Sequence, residues 1–378
     1  VSTIWENTVL QKTLRRILGC ALLLYGGTAL AFTLITIPQE QVSPSNTITD
    51  ATTLETQVQP IAGVIRTQLF SLRRPKSSQK VTQVGSMLAA NAHADSRSDF
   101  NYLAAAGTSG VGSGGSSSDS ESLWISAVTN SLENDFSRTA FYGATHNLIA
   151  GFDVTRSDKY VLGVAVGHEA SNFVTTFNVG NEKTRGFNVN PYFAYLLSDT
   201  WSVDLILGYG QFNTRQSRTL GTGLLTTMAV DSEFESKRGF VSTNLTNVST
   251  WGNWKLTGSL GALASKREQD AYVESGITGS AVAATKQTIE QWNLLGEAAY
   301  GRGNSETYLG LMYENTRDPL KIEFATGVQP ANDPDSVLLT AGWRHFGKGL
   351  TANFVFSTRL AQDQVAEHGF SLMIRVDL

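Results

Sequence analysis

The side chains able to do covalent or metal chemistry are few in this sequence, and they are scattered. The histidines are His93, His146, His168, His345 and His368, with no spacing that would let a group of them share a metal ion. The one local cluster is His168-Glu169-Ala170-Ser171-Asn172. A histidine that activates a serine nucleophile must reach it, which on a strand requires even spacing so that both lie on one face. His168 and Ser171 are three positions apart and point to opposite sides. An acid and an imidazole brought together from separate loops would leave no sign in the sequence. The reading is of a chain that is not an enzyme, with no cofactor and no metal. The sole cysteine, Cys20, lies in an N-terminal apolar run, so neither a disulfide framework nor a thiolate site is expected beyond it.

The informative charges are Glu169, Asp204, Lys255, Glu297, Glu314, Arg344, Arg359 and Arg375. Each falls on the polar face of a segment whose other face is largely apolar, so a barrel would point all eight into its lumen. Charges of both signs facing water are the plain explanation. The sharper one is that some pair with a helix inside the barrel, near Arg66, Gln68, Arg73 and Arg74, with Glu297 and Glu314 as the retaining residues. A partly desolvated pair is screened less than a surface pair.

The elements that would position these residues are strands. From Leu123 onward the chain divides into about twelve alternating segments of barrel-wall length. They run Leu123 to Ser131, Tyr142 to Thr155, Lys159 to Phe177, Arg185 to Leu197, Trp201 to Arg215, Phe234 to Val248, Trp254 to Lys266, Thr285 to Tyr300, Thr307 to Asn315, Val337 to His345, Thr351 to Leu360, and Glu367 to Leu378. In the fifth, Trp201, Val203, Leu205, Leu207 and Tyr209 alternate with Ser202, Asp204, Ile206, Gly208 and Gly210. The sixth and eighth alternate poorly. Every second connection is tight, as at Gly252-Asn253 and Arg302-Gly303-Asn304, and longer joins lie between, as at Ser217 to Met228, Glu268 to Ala284 and Thr316 to Pro334. A soluble sandwich has no reason to separate loop lengths by end, whereas an outer-membrane barrel has short periplasmic turns and longer outer loops. Tyr160, Tyr195, Trp201, Trp254, Tyr300 and Trp343 lie close to the short turns, where an interfacial aromatic belt belongs.

Composition agrees. Charged residues make up 16% of the chain, against roughly 25% in ordinary soluble proteins. A mean hydropathy of -0.11 fits a wall with one face to lipid and one to water. Nothing suggests nucleic acid. In the first third, Lys12, Arg15 and Arg16 precede the apolar run Ile17 to Ala31, which ends in Ala29-Leu30-Ala31. This is the order of a secretory signal peptide over 1–31, too short for a comfortable membrane span. Almost no apolar run precedes Leu18-Gly19-Cys20, so lipidation is not expected. Leu54, Val58, Ile61, Ile65, Leu69 and Leu72 recur at helical spacing and predict a helix from about Ala51 to Arg74, with Pro60 as the objection and a start at Pro60 as the alternative. A Gly/Ser-rich tether from Gly107 to Ser118 completes a segment 32–120 ahead of the barrel at 121–378.

The last strand alternates Phe370, Leu372, Ile374, Val376 and Leu378 with Gly369, Ser371, Met373, Arg375 and Asp377. With Glu367 and Gly369 it resembles the C-terminal assembly signal of bacterial outer-membrane barrels, though those usually end in Phe or Trp and this chain ends in Leu378. With this strand, Ile149-Ala150-Gly151-Phe152-Asp153 and Val161-Leu162-Gly163-Val164-Ala165-Val166-Gly167 on either side of a short turn, the region from Leu123 to Leu378 resembles the β-domain of autotransporters, the type V secretion translocators of Gram-negative bacteria. The resemblance implies a transmembrane antiparallel barrel of twelve strands in outer-membrane lipid, a helix threading its lumen, and an N-terminal segment that is exported. It also implies periplasmic chaperones and the barrel-assembly machinery as partners. Fewer than twenty residues lie between Phe32 and the helix, without the repeats of a long passenger. A standalone pore gated by the helix, or a barrel that binds ligands through its surface loops, is the alternative.

Overall fold

The structure is a computed structural model that describes residues 35–36, 51–71, 120–157, 159–221, 227–275, 281–317, 322–323, 333–347 and 349–378. The chain divides into two units, Val1–Ile35 and Thr36–Leu378, and the helix and strands that build the site belong to the second. The expected signal peptide and the Gly/Ser tether lie outside the described residues.

Helix α1 spans Ala51–Ser71. The wall strands are β1 (Ser120–Asn134), β2 (Phe141–Arg156), β3 (Tyr160–Thr175), β4 (Gly180–Leu196), β5 (Trp201–Gly221), β6 (Thr227–Trp251), β7 (Trp254–Gln269), β8 (Thr285–Arg302), β9 (Ser305–Arg317), β10 (Asp335–Gly347), β11 (Leu350–Leu360) and β12 (Val365–Asp377). Each pairs antiparallel with its sequence neighbours, and β12 closes on β1 from Val365 opposite Asn134 to Asp377 opposite Ser122. The chain is thus a closed barrel of twelve strands, and each expected segment coincides with one of them.

Alternation sets which way each side chain points. Trp201, Leu205, Leu207 and Tyr209 are exposed, whereas Ser202, Asp204 and Ile206 between them are buried. The exposed apolar residues form the outer surface, with aromatic pairs at two levels. Trp254 packs edge-on against Tyr300 near the short turns, and Trp292 lies beside Tyr313 higher up, each with ring centroids 5.1 Å apart. The steps Trp201 to Tyr209, Tyr195 to Phe187 and Tyr300 to Trp292 are equal, and with a strand tilt of about 40° each spans roughly 20 Å of height, close to a bilayer's apolar band.

Two details depart from the expected pattern. The pairing of β4 with β5 lapses at Asn190 and Pro191, between Val189 opposite Tyr209 and Tyr192 opposite Ile206; proline has no N–H to give the ladder. The join expected from Ser217 to Met228 is mostly strand, since β5 runs to Gly221 and β6 begins at Thr227. Here the inward Gln216 and Arg218 on β5 are as polar as the outward Arg215 and Glu233, and the inward Val230 and Phe234 on β6 are the apolar exceptions, so the hydrophobic period is weak. The β7–β8 join carries a short ladder of Tyr272–Val273 with Ala281–Val282, pinned to β5 by the buried Arg218–Glu274 pair at 2.7 Å. The stretch 324–332 of the third long join lies outside the described residues. The outer joins at 135–140, 176–179 and 361–364 are short, as is 222–226 between β5 and β6, so the loop asymmetry rests on the β7–β8 and β9–β10 joins. At the opposite end the turns are tight, with positive φ at Gly252 (59°) and Gly303 (58°).

Helix α1 begins where the spacing placed it and passes through Pro60, so the start at Pro60 is set aside. Leu72, Arg73 and Arg74, expected in its last turn, lie outside the described residues, as does the side chain of Leu54. The apolar stripe packs on the inner wall. Ile61, Ala62, Val64, Ile65 and Leu69 bury against Trp124, Val128, Ile149, Tyr192 and Ile206. Val58 packs with Leu263, Ile289 and Phe240. This patch is the core that the amphipathic helix needs.

The wall beneath the helix relies on glycines that admit rings. A Cβ on Gly163 would collide with the Tyr192 ring, and one on Gly151 with the Trp124 indole. Gly163→Val therefore displaces Tyr192 and should destabilise the barrel by about 1–3 kcal/mol. This is checked by the temperature at which the folded, heat-modifiable form is lost on a gel.

Candidate functional site

Charged and amide side chains converge in the lumen around one helix. All eight charges expected to face inward lie buried on the inner face. Most are paired within the wall. Arg344 holds Glu297 through two bonds of 2.9 and 2.8 Å and stacks over the Tyr308 ring at 3.8 Å. Lys255 reaches Glu306 at 2.7 Å, Arg375 reaches Asp377 at 3.0 Å, and Asp204 accepts from Asn244 at 2.7 Å. Such forked, charge-assisted bonds are the strong kind, and desolvation of the lumen makes them costly to break from one side only.

A second group gathers across the closing seam. Arg359 on β11 binds Glu314 on β9 at 2.6 Å and Glu367 on β12 at 2.7 Å, with Ser336 on β10 at 2.5 Å. Glu367 also accepts from Asn130 on β1 at 3.3 Å. The residue singled out for the C-terminal signal thus points into the lumen, while Phe370, Leu372, Ile374, Val376 and Leu378 face outward and Gly369 sits against Asn130 and Ser357.

The helix joins these groups through amides. Gln57 accepts a 2.7 Å bond from Arg238, which itself forks onto Glu169 at 2.9 and 3.2 Å. Gln59 donates to Glu314 at 2.6 Å and to Gln291 at 2.5 Å. At the far end Gln68 donates to Asp153 at 3.1 Å, and Asp153 also takes bonds from Tyr192 and Ser122 at 2.9 and 2.7 Å. Arg66 is buried with a 3.4 Å bond to Ser242.

Of the two residues expected to retain the helix, Glu314 does contact it. Glu297 does not; its carboxylate is taken up by Arg344. Asp153, Arg238 and Ser242 were missed as partners. Asp153 sits in an alternating strand, on one face with Ile149 and Gly151, and could have been found by register. Arg238 and Ser242 lie on β6, whose outward face above the bilayer carries Glu233, Glu235 and Lys237 and so hides the alternation.

The helix does not fill the pore. A cavity of about 160 Å³ remains between Pro60, Gly63 and Thr67 on the helix and Met312, Leu338 and Met373 on the wall. A Cβ on Gly63 would meet nothing within 4 Å.

The two kinds of contact separate by substitution. Glu297→Gln breaks a buried pair and should cost about 3–5 kcal/mol of stability, seen as a lower unfolding midpoint, with little change in single-channel conductance. Replacing Gln57, Gln59 and Gln68 together with Ala leaves the wall's ion pairs intact. That variant should raise the conductance and frequency of open events in planar bilayers.

Comparison with known proteins places the barrel. The family profile described as the autotransporter beta-domain matches residues 123–321. Among solved structures, the translocator domain of the autotransporter NalP from Neisseria meningitidis is similar with a TM-score of 0.58 at 13% identity, over 71% of this chain and 90% of that one. The beta domain of the Bordetella autotransporter BrkA is similar with a TM-score of 0.53 at 16% identity, over 68% of this chain and 99% of that one. None of the curated proteins matches the sequence significantly. With a profile match over more than half its length, the chain belongs to the autotransporter β-domain family, whose barrels are embedded in the outer membrane.

Proposed function

We propose that this translocator barrel passes the chain preceding Ala51 through the outer membrane and displays it on the cell surface, with α1 left in the pore. The observation that carries this is the direction of the helix. Gln57 and Gln59 are tied to Arg238 and Glu314, in the half of the wall nearer the long joins. Gln68 is tied to Asp153, close to the turn after β2. Short turns are periplasmic in such barrels, so the chain leaves the N-terminus of α1 toward the outside.

The lumen suits passage. Glu169 pairs with Arg238 and Glu297 with Arg344 inside the wall, and Arg359 is shared between Glu314 and Glu367. Apart from Arg66, whose buried guanidinium donates to Ser242, the helix is held by neutral amides, so among the described residues its movement breaks no direct ion pair. Export through a signal peptide at 1–31, delivery by periplasmic chaperones and insertion by the barrel-assembly machinery through the C-terminal strand complete the route. The function is transport without a covalent step; His168 lies against the exposed Phe187 ring on the outer face, while Ser171 points inward.

An epitope placed after Thr49 tests the reading. On intact cells it should be removed by added protease while the barrel stays folded. Protection until the outer membrane is opened would mean that the segment stays inside, and would favour a pore gated by α1.

A further inference from the structure

Polar groups buried in a folded protein are normally paired, because leaving a hydrogen bond unmade away from water is costly. Three inward side chains at the outer end of the lumen depart from this. Arg267 on β7, Gln287 on β8 and Glu182 on β4 are only 5%, 6% and 2% exposed. The Nε of Arg267, both amide atoms of Gln287 and the Oε2 of Glu182 have no hydrogen-bond partner in the protein. Among the described residues, none of the three side chains makes a hydrogen bond or a direct ion pair. Arg238, beside Arg267 in the ladder, instead forks onto Glu169, and Arg344 forks onto Glu297.

The three groups stand where the chain would leave the barrel. Arg267 is opposite Arg238 on one side and Gln287 on the other, and Arg238 bonds Gln57 of α1. Ile289, the next inward residue below Gln287, packs with Val58. Glu182 lies within electrostatic reach of Arg267. The cluster is therefore level with the first turns of α1, and along β8 it lies beyond Trp292.

The charges of Glu182 and Arg267 cancel, so the group does not select an anion or a cation. It offers donors and acceptors together, from a guanidinium, a carboxamide and a carboxylate. A peptide unit needs both, since it presents an N–H and a C=O whatever its side chain. Groups already locked to one another could not serve it. We propose that Arg267, Gln287 and Glu182 form a transit site for the main chain of the exported segment, exchanging hydrogen bonds with successive peptide units as they leave the lumen. The inference rests on the passage proposed above and adds which wall residues assist it.

The test times the accessibility of the epitope after Thr49 to protease on intact cells, with the amount and melting of the heat-modifiable barrel measured alongside. Glu182 and Arg267 are changed together, since either change alone would strand the other charge. E182M/R267M and Q287M put straight apolar chains in place of the hydrogen-bonding groups. Each should slow appearance of the tag about threefold, and the triple variant about tenfold, while the barrel melts at the native temperature or above. E182Q/R267Q keeps donors and acceptors without charge and should display the tag at the native rate. Lys286→Met, exposed on the outer face beside Gln287, should do the same. Should E182M/R267M not fold, Q287M alone decides. The inference is overturned if the apolar variants display the tag at the native rate, which would mean that the groups are merely hydrated. It is also overturned if their delay matches a loss of folded barrel, or if E182Q/R267Q is as slow as E182M/R267M. A tag that stays protected in the native chain would instead overturn the export reading, and this inference with it.

Discussion

A backbone N–H or C=O that faces hydrocarbon without a partner costs several kcal/mol, so a chain crossing a membrane by strands must close its sheet. The ladder between β12 and β1 is where that requirement is met here. The rest follows from it. Once closed, the sheet has an outside solvated by lipid and an inside that must satisfy its own polar groups, and each strand's two faces are committed to one or the other. The seam is also tied from within, because Arg359 links β9, β10 and β12, and Glu367 carries the link to Asn130 on β1.

The lumen resolves a conflict between holding a helix and letting a chain through. Charged groups on α1 paired to the wall would hold it tightly, but withdrawal would leave their partners buried and uncompensated. Instead most of the wall's charges pair with one another, and the helix adds hydrogen bonds from Gln57, Gln59 and Gln68 together with an apolar stripe. Removal of the helix then costs those hydrogen bonds, the bond from buried Arg66 to Ser242 and the buried apolar contact, and among the described residues it breaks no direct ion pair. The gap beside Gly63 shows that the fit is one-sided.

The strands were legible in the sequence because lipid on one face and water on the other impose a period of two, and a terminal strand such as Phe370 to Leu378 shows it plainly. Where both faces are mostly polar the period weakens, so the upper parts of β5 and β6 read as loop. The helix was legible from the spacing of Val58, Ile61, Ile65 and Leu69. Its anchoring was only partly so. Charge drew attention to Glu297, yet Arg344, distant in sequence, occupies it. Arg238 could not be placed because β6 alternates poorly, and neutral glutamines carry no signal of the carboxylates they will meet. Which residues share a strand face is local information; which strands bring two faces together across a lumen is not.

The direction of α1 in the lumen is the most direct test of the account. In a Cys20→Ser background, Gln59→Cys can be combined with Gln291→Cys, near the outer end, or with Ser122→Cys, beside Asp153 at the other. A short bifunctional thiol reagent applied to the folded barrel should cross-link the first pair and leave the second unlinked. The reverse pattern would mean that the helix runs the other way, and linkage of neither would mean that it does not sit in the lumen as described.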